Sequence, residues 1–255
     1  MPEAEQESLT DMRTDCSILL ASALLAVSCA LETASTTGHR HGAGGDCDNA
    51  FSHTGHPRQS RPAAASPFEE IPDYIASLDR GDRSAWQRPD AVIDALDLVG
   101  DELLADVGAG SGYFAFRIAR HLPWGSVLAL DPERGMVEHV RERAAARGSR
   151  NVSAAGIDPE APRLPAGVHV VFVCNVLHYV ADRRSWLCGI ASQLDPGALV
   201  VLIGFDDDAP EGGPAPERRL SPEEIRAHAC AAGLAPVADH SELLPLQFFL
   251  VFSKW

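Results

Sequence analysis

The chain has 255 residues, 45% hydrophobic and 22% charged, a globular composition with room for one α/β domain of ordinary size and an extension. A formal net charge of -15 argues against a nucleic-acid partner, because a phosphate backbone needs a basic face. The six cysteines form no C-x-x-C pair, which removes zinc-ribbon and thioredoxin-like readings.

Residues 17–30 read SILLASALLAVSCA. This apolar stretch is too short to cross a bilayer as a helix and suits the hydrophobic region of a signal peptide. The acidic residues before it (Glu3, Glu5, Glu7, Asp11) are wrong for the segment that precedes such a region, whereas a start at Met12 would leave Arg13 there. Ala26-Val27-Ser28-Cys29 loosely resembles a lipoprotein cleavage site, without the usual leucine three residues before the cysteine. The expectation is a leader over 1–30 with membrane attachment through a lipidated Cys29, and the cell envelope is favoured over the cytoplasm. A short apolar helix in a cytoplasmic protein is the alternative. Residues 31–67 are rich in Gly, Ser, Thr, Ala, Pro and His and predict a disordered tether. His39, His41, Cys47, His53 and His56 read as scattered linker residues and not as a metal site, since a flexible loop must be ordered to hold an ion and no supporting shell is visible.

From residue 68 to 255 the pattern is that of a folded domain. Ile71, Ile75 and Leu78 are spaced for a short helix, and a second helix follows from Asp90 to Leu98 with Pro89 at its first turn. The first strand, Leu103 to Val107, ends in Gly108-Ala109-Gly110-Ser111-Gly112, and a helix from Tyr113 to His121 follows. A second strand, Ser126 to Leu130, ends in Asp131, before a helix from Glu133 to Arg147. On that helix, Arg141, Arg143 and Arg147 predict a solvated face paired with Glu138 and Glu142. A short third strand near Val152 to Ala154 comes next. The fourth, Val168 to Cys174, is almost wholly apolar, as a strand covered on both faces must be. A helix from Arg183 to Leu194, a strand from Ala198 to Phe205, and a helix from Pro222 to Ala232 capped by Gly233 follow. Strands Ala235 to His240 and Gln247 to Phe252 close the chain. The alternation predicts an α/β fold, a mostly parallel Rossmann-like sheet of seven strands with an antiparallel terminal strand and helices on both faces.

The glycine loop carries the chemistry. Glycines let a backbone approach a ligand where a Cβ would collide, and an acid after the second strand can accept from ribose hydroxyls. A dinucleotide loop reads G-x-G-x-x-G and seats a pyrophosphate. Here the spacing is Gly108-x-Gly110-x-Gly112, behind Asp106. An acid beside the loop would repel a pyrophosphate and can accept from an ammonium. With Asp106, Gly108, Gly110 and Gly112 matching D-x-G-x-G-x-G, the segment from Pro89 onward resembles the class I S-adenosylmethionine (SAM) dependent methyltransferases, of the small-molecule type that includes the ubiquinone methyltransferases. The resemblance implies SAM as methyl donor. It places the methionine end at Asp106 and the loop Gly108-Ala109-Gly110-Gly112 with Tyr113 beyond it, the ribose at Asp131, the adenine amine at Asp158, and the SAM amino group also at Asn175. Leu177-His178 matches an L-H-H-like segment that faces the methyl group, while Tyr179 departs from it, so His178 is the candidate for substrate contact or proton acceptance. Trp86 and Met136 are further candidates for the pocket wall.

Methyl transfer from a sulfonium needs position and a dry, shaped pocket, and a base only if the acceptor must lose a proton. The expected partner is a small-molecule acceptor whose identity and acceptor atom the fold does not fix, as it does not fix the oligomeric state. Two other readings share the pattern: a non-enzymatic envelope binding protein with a methyltransferase fold, and an NAD-linked oxidoreductase, against which the glycine spacing and Asp106 count. Cytoplasmic synthesis of SAM counts against export. Asp206, Asp207 and Asp208 read as a solvated acidic loop.

Overall fold

The computed structural model describes residues 71–208 and 215–255. The leader, Cys29, the histidine-bearing tether and residues 209–214 lie outside the described residues. Three short helices come first: α1 (Ile71–Leu78), α2 (Arg83–Gln87) and α3 (Pro89–Asp94). Next come β1 (Leu103–Val107), α4 (Ala115–Ile118), β2 (Ser126–Asp131), α5 (Arg134–Arg147), β3 (Val152–Gly156) and β4 (Val170–Cys174). The remainder is α6 (Arg183–Ala191), β5 (Leu199–Phe205), α7 (Pro222–Ala231), β6 (Leu234–Asp239) and β7 (Gln247–Lys254).

The strands form one sheet in the order β3-β2-β1-β4-β5-β7-β6. β1 to β5 run parallel, while β7 lies antiparallel between β5 and β6. Alternate strand residues feed two cores. Leu104, Val170 and Phe172 face α3, α4 and α5 through Val92, Ile118 and Val137. Ala105, Val171 and Val173 face α6 and α7 through Leu187 and Ile225. The central strands are therefore buried on both sides, which is why β4 and β5 read as unbroken apolar runs.

The helix boundaries follow local chemistry. Asp182 caps α6 by accepting the Ser185 N–H at 3.0 Å, Ser221 caps α7 by accepting from Glu224 N–H at 3.3 Å with Pro222 at the first turn, and left-handed Gly148 closes α5. α3 is shorter than the sequence pattern predicts, ending at Asp94. The helix predicted from Tyr113 to His121 is α-helical only over Ala115–Ile118 and then tightens to a 3-10 turn over Ala119–His121, because Pro123 forces Leu122 out of the helical region.

The arginines of α5 leave Arg141 and Arg147 exposed as expected, but their partners are not Glu138 and Glu142. Arg141 donates to the Ala154 carbonyl at 3.0 and 2.8 Å, Arg143 pairs with Asp79 at 2.8 Å, and Arg147 lies over the Phe116 ring at 5.1 Å. These guanidiniums clamp α5 to β3, α1 and α4, and only Arg134 pairs with Glu138. Of the described cysteines, Cys174 is a free thiol, whereas Cys188 and Cys230 are disulfide-bonded and are not packed as free thiols.

Candidate active site

Strand order reverses between β1 and β4, and the crevice at the carboxyl ends of such strands is where an open α/β sheet binds ligands. A cavity of about 430 Å³ opens there, within the range of small-molecule sites. Its floor is the β1 loop, with Val107, Gly108, Ala109 and Gly110. The loop is pinned to β2, since the N–H groups of Gly108 and Ala109 both donate to the Leu130 carbonyl, at 2.7 and 3.1 Å. Three loop glycines adopt positive φ: Gly108 at 77°, Gly110 at 54° and Gly112 at 76°. A Cβ on Gly108 would lie 2.2 Å from Cγ2 of Val176, itself a wall residue.

Asp131 closes one side. Its carboxylate accepts the Gly110 N–H at 2.8 Å and the Glu133 N–H at 2.9 Å, and each oxygen keeps lone-pair capacity for a ligand hydroxyl. Burial raises its pKa, partly offset by those two N–H groups. Asp158 also lines the cavity, with one oxygen in a turn onto Glu160 N–H at 3.0 Å. Met136 and Ile157 supply apolar wall between the two acids.

Asp106 lies beneath the loop, 3% exposed, and does not line the cavity directly. It accepts the Ala115 N–H, while its Oδ2 is buried with no partner. Burial, then the neighbouring Asp131, push its pKa up to about 7, against the pull of Arg83. A buried carboxylate oxygen lacking a donor is costly. A cation delivered by a ligand would remove that cost, so the acid fits the SAM ammonium that the sequence assigned to it.

Two sequence-assigned residues have other work. Tyr113 is 4% exposed and does not face the cavity. Its ring is sandwiched between the guanidiniums of Arg83 and Arg117, 3.9 and 3.8 Å from the centroid, and its hydroxyl bonds Ser84 at 3.1 Å. Aromatic packing against two cations holds it inside, which corrects its placement over the ligand. Gly112 likewise is buried away from the cavity, where a Cβ would meet the Phe116 ring at 2.8 Å.

The segment before β1 lines the cavity with Trp86, a candidate from the sequence, and with residues that motif reading passed over. Tyr74, Ser77, Leu78, Arg83 and Trp86 all line it. Trp86 packs on Phe205 with ring centroids 5.5 Å apart. Arg83 donates to the Leu78 carbonyl at 2.8 Å but keeps a buried Nε without a partner, and burial lowers its pKa. Below lies a closed ring of three amides. Gln87 donates to Gln247, Gln247 to Asn175 at 2.6 Å, and Asn175 back to Gln87 at 3.4 Å. Gln87 and Gln247 are 0% and 2% exposed, and a buried amide holds its place only when satisfied in this way. Asn175 lines the cavity in a left-handed conformation, φ 61°, so the ring sets the exit path of β4. A polar Gln247 opening an apolar strand was the available signal.

At the far end are His178, Tyr179 and Arg218. The His178 and Tyr179 rings stack at 4.0 Å. Burial, then Arg218 and Arg183, lower the His178 pKa to about 4, so the neutral imidazole is the form present near pH 7. Burial pushes the Cys174 thiol up to about 12 and raises the Tyr74 phenol beyond its usual value. The carboxylates of Asp206, Asp207 and Asp208 gather within 4.8 Å of one another, with Asp207 and Asp208 exposed, but they lie outside the cavity wall.

Residues 105–200 match a family model described as a methyltransferase domain. An uncharacterized methyltransferase of Mycobacterium bovis is 30% identical over 116 residues, covering 46% of this chain and 57% of that protein. The aklanonic acid methyltransferase of a Streptomyces species is 36% identical over 113 residues, covering 44% and 51%. The chain spans about half the length of these curated relatives. Among solved structures, a SAM-dependent methyltransferase from Aquifex aeolicus superposes with a TM-score of 0.66 at 22% identity, covering 72% of this chain and 98% of that one.

Proposed function

Because residues 105–200 form a methyltransferase domain of the class I, SAM-dependent type, we propose that this chain transfers the sulfonium methyl group of SAM to a small-molecule acceptor by in-line displacement. The observation that carries the reading is the buried, unpartnered oxygen of Asp106 under the glycine loop. When bound, SAM supplies a methyl group already activated by the positive sulfur. The residues of the chain then have to bind, orient and exclude water. Asp106 takes the ammonium, and the Arg83 guanidinium, with its free buried Nε, takes the methionine carboxylate. Asp131 accepts from the ribose and Asp158 from the adenine amine, with Met136 and Ile157 against the base. Trp86, Phe205 and Val176 exclude water at the methyl end. His178 is a hydrogen-bond partner for the acceptor and, with its lowered pKa, a weak proton acceptor. When ionised, the two carboxylates beside the loop would repel a pyrophosphate, which weighs against the NAD reading.

Calorimetric titration of SAM into the full chain, with NAD as control, tests this. We expect saturable SAM binding, no NAD binding, and a loss of roughly tenfold or more in SAM affinity in Asp131→Ala, from removal of a charged acceptor. A folded chain that ignores SAM would refute the proposal.

The leader belongs to the same proposal: residues 1–30 direct export and Cys29 carries lipid. In a bacterial host the chain is expected in the membrane fraction, released by detergent, and Cys29→Ser is expected to release it without detergent. A soluble wild-type chain would end the lipoprotein reading.

A further inference from the structure

In a chain of formal charge -15, the cavity lining includes two arginines, Arg83 and Arg218. Its acids, Asp131, Glu133 and Asp158, belong to the ends of β2 and β3. Arg218 stands at the opposite end, with its Cζ 5.7 Å from the centroid of the Tyr179 ring. It lines the cavity together with Tyr74 and His178, and its charge acts on both. Nearby Arg183 donates to the Leu177 carbonyl at 3.0 Å and approaches Glu224 at 3.7 Å. Arg218, in contrast, makes no ion pair with any described residue. A guanidinium left unpaired over an aromatic wall is a receptor for a carboxylate.

The second observation concerns protons. An alcohol, phenol or ammonium acceptor must lose a proton around the moment of transfer. Cavity-lining groups that could take it include His178, Tyr74 and Cys174. The first binds a proton only near pH 4, and the thiol and phenol stay protonated at neutral pH. An acceptor oxygen that is already anionic needs none of them.

We propose that the acceptor is an organic carboxylate, anchored by Arg218 at the His178–Tyr179 rim and methylated on its own oxygen to give a methyl ester. The inference rests on the donor reading above. A lone pair of the carboxylate forms the new C–O bond while the C–S bond breaks and its electrons go to sulfur. The negative charge of the acid and the positive charge of the sulfonium are both discharged, and no proton moves. The ester no longer attracts Arg218, so product formation itself weakens the anchor. The aromatic pair Trp86 and Phe205 gives an apolar wall for the body of the acid, and a cavity of about 430 Å³ shared with the donor restricts that body to a small one.

The test uses the full chain loaded with S-adenosylhomocysteine and titrated with benzoate, phenylacetate and hexanoate, each beside its primary amide. At least one acid is expected to bind roughly tenfold or more tightly than its amide, the margin of a charged hydrogen bond. Arg218→Gln abolishes that preference, Arg218→Lys retains part of it, and neither changes S-adenosylhomocysteine affinity. With SAM in place, turnover of the bound acid yields a product that releases methanol in mild alkali. Equal binding of acid and amide, no binding by any acid of the panel, or an unchanged preference in Arg218→Gln overturns the proposal. A chain that fails to bind S-adenosylhomocysteine overturns the donor reading instead. Because Arg218 is exposed, its variants are expected to fold, and an unchanged melting temperature checks this.

Discussion

Asp106→Asn is expected to make the ligand-free protein more stable above neutral pH while weakening SAM binding by about 10- to 100-fold, the worth of a buried charged hydrogen bond. The two effects have one cause. Burial and Asp131 raise the folded pKa of Asp106 to about 7, whereas in the unfolded chain the acid ionises near the ordinary carboxylate value. The folded state therefore binds more protons than the unfolded state between those two values. Stability contributed by this group is present at acid pH, falls as pH rises through that window, and levels off above about 7. The isosteric amide keeps an oxygen for the Ala115 N–H and carries no charge to bury, so its unfolding free energy loses that slope. Ligand binding has the opposite dependence. An ammonium needs the ionised acid, so SAM affinity of the wild type rises with pH through about 7, and binding near neutrality releases protons. Calorimetry in two buffers of different ionisation enthalpy counts those protons, and thermal melts across pH 5–9 follow stability. Proton release that persists unchanged in Asp106→Asn would show that another group meets the ammonium.

Gly108→Ala is expected to abolish measurable SAM binding and to destabilise the fold by about 2–4 kcal/mol, from left-handed strain and overpacking. The alanine would keep a φ of 77° and drive its methyl group into Val176, 2.2 Å away. Gly110→Ala is the control. Its Cβ would meet only the end of the flexible Leu78 side chain, at 2.9 Å, so it costs mainly the backbone strain, about 1–2 kcal/mol. In the double variant Gly108→Ala/Val176→Ala the overlap is relieved and the strain is not. Its melting temperature should recover part of the loss, and the recovery measures the coupling between loop and wall. A Gly108→Ala protein as stable as wild type would mean that the loop can take another path.

The strands, the glycine loop and the position of Asp131 were legible because their signals are local. An apolar run ending in a glycine loop specifies β1 and its turn. Asp131, at the end of β2, falls by topology beside the neighbouring loop, and parallel pairing of Val107 with Leu130 puts it there. The misreadings arose where a residue's partner is distant in sequence. Tyr113 follows the loop in sequence, yet Arg83, which precedes β1, holds it inside. The arginines of α5 do include exposed Arg141 and Arg147, but periodicity does not show their partners on other elements. His169 accepts the Leu103 N–H through Nδ1 at 3.0 Å, a role invisible without the β1–β4 pairing. Arg218 and Gln87 carry no motif at all.

The ring of Gln87, Asn175 and Gln247 has a consequence for the order of events during synthesis. The hydrogen bond from Gln87 to Gln247 spans 160 positions, and β7 enters the sheet between β5 and β6, strands made before it. The loop, Asp106 and Asp131 all leave the ribosome long before Gln247 does. Until β7 docks, the amides of Gln87 and Asn175 lack their third member and β5 keeps an open edge. A nascent chain therefore carries its glycine loop beside an unfinished amide ring. The ring that holds Asn175 in the cavity wall is complete only when translation has delivered the last strand.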